Sequence, residues 1–101
     1  ELDPKILRDA KVVADSIRQV RVIGECQHAI KAGYIDKECS NIWAEIGALT
    51  SGEKRGRENE KEITVFDATG IAVLDVAAGC VIYNKALQNK KTRYFKMSQI
   101  K

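Results

Sequence analysis

Residues 62–86, EITVFDATGIAVLDVAAGCVIYNKA, constrain the fold more than any other stretch. They open with Ile63-Thr64-Val65-Phe66, β-branched and aromatic residues that read as a strand. The strand breaks at Asp67-Ala68-Thr69-Gly70, and a Pro-free, largely apolar run follows over residues 71–87. That run predicts a buried helix. A strand that stops in a polar turn and feeds a helix is the usual ligand position of an α/β protein. Strand carboxyl ends meet helix amino ends there, and the field favours anions and dipoles. A cofactor is therefore expected near residues 66–70.

The rest of the chain is read outward from that unit. Asp3 and Pro4 make a helix start, with Asp3 as cap and Pro4 at the first helical position. Residues 4–10 form a short helix with Ile6, Leu7 and Ala10 inward. Lys11-Val12-Val13-Ala14 is a strand whose adjacent valines imply burial on both faces, and it ends at Asp15-Ser16. Residues 16–22 are either a loop or a first helical turn. Residues 24–32 read as a helix stopped by Gly33. Ile42, Trp43, Ile46 and Leu49 recur at helical steps and predict a helix over residues 37–49. The charged, glycine-containing residues 50–61 form a surface loop, and Tyr94, Phe95 and Met97 suggest a short strand or ordered tail. Helices alternating with strands imply an α/β fold with parallel strands. Two or three strands are too few for a complete doubly wound sheet. With 101 residues and an abrupt opening at Glu1, the chain reads as a piece of a longer protein.

Composition excludes several functions. The net charge is only +3, and 17 basic residues are interleaved with 14 acidic ones, which leaves no broad nucleic-acid or membrane footprint. Lys85, Lys90, Lys91, Arg93, Lys96 and Lys101 concentrate charge at the end, which reads as a solvated tail, with nucleic-acid binding as the lesser alternative. Cys26, Cys39 and Cys80 are odd in number and form no CxxC pair, so reduced thiols and a cytoplasmic location are expected rather than a disulfide framework. No stretch reaches the ~18 apolar residues of a membrane span.

Chemical motifs are sparse. There is no Gly-rich phosphate loop. His28 is the single histidine and lacks the companions a metal site needs, so no metal is expected. Asp67 and Thr69 can serve a ligand, or can simply cap the following helix. Asp75 lies between Leu74 and Val76, and a buried carboxylate there requires a partner. Ala72, Ala77, Ala78 and Gly79 allow close helix approach. Arg57 is a loop cation, read either as solvated or as part of a site.

The run AEIGALTSGEKRGRENEKEITVFDATGIAVLDVAAGCVIYNKA resembles the C-terminal region of the ornithine cyclodeaminase and mu-crystallin family. That family includes archaeal alanine dehydrogenases and imine reductases. The matching positions are Glu45-Ile46-Gly47, Gly52, Gly56-Arg57, Glu62-Ile63-Thr64, Phe66-Asp67, Thr69-Gly70, Ala72, Asp75 and Ala77-Ala78. ELDPKIL, VVADS and GECQHAIKAG extend the resemblance over residues 1 to 87. It implies the end of a homodimeric enzyme that uses NAD or NADP on a small amino-acid or imine substrate. Residues 1–70 would be the C-terminal part of a Rossmann-like domain. Residues 71–101 would be a long helix returning to a catalytic and dimerising domain, followed by the basic tail. The catalytic groups and phosphate loop would lie upstream of Glu1.

On this reading Phe66, Asp67, Ala68, Thr69 and Gly70 form the cofactor-side turn, Asp75 supports it, and Asp15 and Ser16 are further candidates. Ala68 stands where the family usually has a serine that would bond the cofactor's carboxamide. The alternative is a non-catalytic α/β dimerisation or interaction module.

Overall fold

The computed structural model describes residues 2–89 and 92–93. The expected tail around Tyr94, Phe95 and Met97, with Lys90, Lys91, Lys96 and Lys101, lies outside them. The chain divides into two units, Glu1–Ile71 and Ala72–Lys101.

The first unit is an α/β fold on a small sheet. It runs α1 (Ile6–Asp9), β1 (Lys11–Ala14), α2 (Ile17–Val20), α3 (Glu25–Lys31), β2 (Ile42–Glu45), α4 (Ile46–Thr50) and β3 (Thr64–Asp67). The sheet order is β2-β1-β3, and both pairings are parallel. Val12 stands beside Ile42 on one side and Val65 on the other. The central position of β1 explains its paired valines: Val12, Val13 and Ala14 are all buried. Leu7, Val12, Ala14, Val20, Cys26 and Ala29 form the heart of the core.

Local signals account for most of the elements. The Asp3 carboxylate accepts the amide of Lys5 at 3.0 Å in the turn before α1, whose cap position is Lys5 rather than the expected Asp3. Gly33, with φ +77°, follows the end of α3 as the expected left-handed stop. Residues 16–22 take the helical of their two options and contain α2.

The helix predicted over residues 37–49 is corrected. Asp36 turns the chain first: its carboxylate accepts both the amide and the hydroxyl of Ser40, and Cys39 takes a positive φ of 58°. Residues 42–45 are then a strand, with Ile42 and Ala44 buried and Trp43 and Glu45 exposed. A strand running straight into the short α4 reproduces helical spacing for Ile42, Ile46 and Leu49. The alternation that marks it as strand spans only four residues.

The loop after α4 is fastened to the sheet by Lys11. Its ammonium donates to Glu58 and pairs with Glu62, both at 2.8 Å, and donates to the carbonyl of Gly56 at 3.0 Å. It also lies 4.9 Å from the centre of the Trp43 ring, which Lys54 approaches at the same distance. Glu58 and then Glu62 hold the Lys11 ammonium above its ordinary pKa. Trp43 donates its indole N–H to the carbonyl of Arg55 at 2.8 Å. Arg57 donates to the carbonyls of Asn59 and Glu60, so this loop cation closes its own loop. Replacing Lys11 with methionine is expected to free residues 53–62 while leaving the strand in place. Because Trp43 is the single tryptophan, a red-shifted emission and faster amide exchange in the loop would report the change. Unaltered emission and exchange would refute the fastening.

The second unit contains α5 (Ala72–Gln88), which has no buried residue. Asp75 is accordingly exposed, which corrects the expectation of a buried carboxylate needing a partner. Among the described residues, no helix is long and apolar enough to cross a membrane.

Candidate functional site

Parallel strands bring β1 and β3 to the same end, so Asp15 and Asp67 arrive together at the sheet's carboxyl edge. Ala14 is paired with Asp67, and the amide of Asp15 donates to the carbonyl of Asp67 at 3.2 Å. Both carboxylates are buried, 5% and 4% exposed. Each faces backbone amides supplied by a distant part of the chain.

Asp15 holds the turn after β3. Its Oδ2 accepts the amides of Thr69 and Gly70, both at 2.7 Å. Its Oδ1 accepts the amide of Ser16 at 2.7 Å and the hydroxyl of Thr69 at 3.1 Å. Burial pushes this carboxyl upward in pKa. The amides of Gly70, Ser16 and Thr69 outweigh it and hold the group below the usual carboxylate range. On the far side of the turn, the Gln19 side-chain amide donates to the carbonyl of Gly70 at 2.9 Å.

Asp67 does not cap the helix that follows it in sequence, as the capping alternative supposed. It accepts the amides of Glu25 at 3.3 Å and Cys26 at 2.8 Å, and so caps α3 from 41 residues away. The approach is possible because Gly24 has no side chain: a Cβ there would lie 2.8 Å from Asp67 Oδ1 and 2.8 Å from Thr69 Cγ2. Cys26 is fully buried beneath the carboxylate. Burial, then Asp67, push its thiol well above the ordinary range, so it is an inert packing group. Glu45, at the end of β2, accepts the amide of Ile17 at 2.8 Å and caps α2.

The edge is therefore lined with carboxylates whose acceptor oxygens face helix and turn amides. Helix amino ends that would otherwise attract a phosphate are already occupied by Glu45 and Asp67. Ala68 is exposed, and its peptide has no hydrogen bond to a described residue.

Of the residues expected to form the site, Asp15, Ser16, Asp67, Thr69 and Gly70 are brought together, with Ala68 outward. Phe66 departs from them. It is 52% exposed and lines a hollow of about 290 Å³ with Val13, Ile46 and Leu49. Asp75 lies in the other unit. Glu45, Gln19 and Gly24 were not among the candidates. Gly24 ahead of a helix was the one visible signal, since glycine there permits a conformation closed to other residues. Among the described residues no group of three or more His, Cys, Asp or Glu side chains is placed to hold a metal.

A sequence model of the ornithine cyclodeaminase/mu-crystallin family matches residues 1–90. Alanine dehydrogenase of Archaeoglobus fulgidus is 41% identical over 100 residues, 96% of this chain and 30% of that enzyme. The solved archaeal alanine dehydrogenase dimer with bound NAD superposes with a TM-score of 0.75 at 41% identity, over 96% of this chain and 30% of its own. Thermococcus litoralis Δ1-pyrroline-2-carboxylate reductase, in complex with NADH and L-proline, gives 0.75 at 38% identity, over 87% of this chain and 27% of its own. The chain thus spans under a third of each relative.

Proposed function

The chain belongs to the ornithine cyclodeaminase/mu-crystallin family, and from that premise we propose that it is the C-terminal part of an NAD-dependent enzyme acting on a small amino or imino acid. Residues 1–70 complete a Rossmann-like nucleotide domain. Residues 71–101 return to a catalytic and dimerising domain of a homodimer, and the unburied apolar residues of α5, among them Val73, Leu74, Val76, Ile82 and Tyr83, support that role. Three free thiols fit a cytoplasmic protein.

One observation carries the proposal: the family's FD-x-TG run forms a fastened turn at the carboxyl edge of a parallel sheet, with Ala68 outward. The residues fit one end of the cofactor. A diphosphate beside Asp15, Glu45 and Asp67 would be repelled and would find the nearby amides already engaged. A nicotinamide ring, neutral when reduced and positive when oxidised, suits that edge. The cofactor supplies the hydride chemistry; this chain orients its nicotinamide end. The reaction is a reversible amino-acid dehydrogenation, an imine reduction or a deaminating cyclisation.

The test is the complete polypeptide assayed with NAD and a panel of L-amino acids that includes alanine, proline and ornithine. Cofactor reduction, or deamination dependent on NAD, is expected. Residues 1–101 alone should give no turnover and should not bind NADH at micromolar concentration. A complete polypeptide that fails to bind NADH would favour the non-catalytic dimerisation module.

A further inference from the structure

The Thr69-Gly70 peptide segment is held from both sides by groups that precede it by some fifty residues, Asp15 on its amides and Gln19 on its carbonyl. A buried carboxylate is a rigid anchor: charge-assisted bonds are short and directional, and four donors converge on Asp15. Those amides are consequently withdrawn from any ligand, and the exposed Ala68 peptide is the part of the turn left open. We propose that Asp15 is a positioning residue for the cofactor: by holding the Thr69 and Gly70 amides it presents Ala68 to the nicotinamide end of the dinucleotide. Gln19 assists from the outer side. The inference rests on the NAD-dependent reading above and deepens it.

The experiment compares NADH with ADP-ribose, which lacks the nicotinamide ring, by calorimetric titration of the complete polypeptide. Asp15→Asn turns one accepting oxygen into an amide donor facing other donors. It is expected to weaken NADH binding about tenfold and ADP-ribose binding by less than about twofold, since loss of a hydrogen bond to a charged group has that order of effect. Gln19→Ala removes one exposed bond without disturbing a buried charge. It should shift NADH binding in the same direction, about threefold, and carries the test if Asp15→Asn does not fold. Equal weakening of both ligands by either variant would mean general damage and would overturn the proposal, as would NADH binding unchanged by both. A wild-type protein that binds neither ligand would overturn the NAD-dependent reading, and this proposal with it. A wild type that binds both, with variants indistinguishable from it, would overturn this proposal alone.

Discussion

Gly24→Ala is expected to destabilise the chain by about 2–5 kcal/mol, combining backbone strain with overpacking. Gly24 sits at φ +95°, ψ −173°, a region essentially confined to glycine. Space adds to the penalty, because the new methyl would lie 2.8 Å from both Asp67 Oδ1 and Thr69 Cγ2. Neither neighbour can retreat freely. Asp67 is fixed by the amides of Glu25 and Cys26, and Thr69 is fixed by Asp15. The substitution therefore strikes the α3 cap and the turn after β3 together. Gly33→Ala is the control, since Gly33 also has a positive φ, +77°, but nothing lies within 4 Å of its Cβ position. Urea unfolding should place Gly24→Ala at least about 2 kcal/mol below Gly33→Ala, because the steric clash adds to a backbone region harsher than that of Gly33. Equal losses would show that the turn yields and that Gly24 is needed only for its backbone conformation.

The contrast between these glycines also marks what the sequence could reveal. Gly33 was legible because a helix stop is a local event, decided by the residues just before it. The same holds for KVVA, whose paired valines announce a strand buried on both faces, and for the break after Phe66. Strand β2 was not legible, because four residues cannot display an alternation that outweighs helical spacing running on into α4. Its identity comes from pairing with Val12, thirty residues earlier. The site divides in the same way. Position alone singled out Asp15, Asp67 and Thr69, as polar residues where strands end. Their partners could not be read, because capping by Asp67 looks local and is not: the helix it serves begins 42 residues before it. The contacts of Glu45 and Gln19 were invisible for that reason, since they exist only once the three strands are aligned.

Asp15→Asn should cost about 2–3 kcal/mol near neutral pH, the scale of hydrogen bonds to a charged group whose donors are left facing a poorer acceptor. The loss should depend on pH in a defined sense. Amide and hydroxyl donors hold the folded carboxyl below its ordinary value despite burial, whereas in the unfolded chain it titrates near about 3.9. A depressed folded value means that the unfolded state takes up the proton first as pH falls. The carboxylate's contribution is therefore complete above the unfolded pKa and disappears as pH drops through the folded one. Asp9, Asp36 and Glu62 are depressed as well, by Arg8, Ser40 and Lys11 respectively, so the acid limb of the wild type alone does not isolate Asp15. The difference between wild type and Asp15→Asn does, because the other groups are common to both. Urea midpoints measured from pH 7 downward should show that gap constant to about pH 5 and closing below about pH 4. A gap that persists unchanged into strong acid would mean that shape and neutral hydrogen bonding hold the Thr69-Gly70 turn. The ionised carboxylate would then not be its anchor.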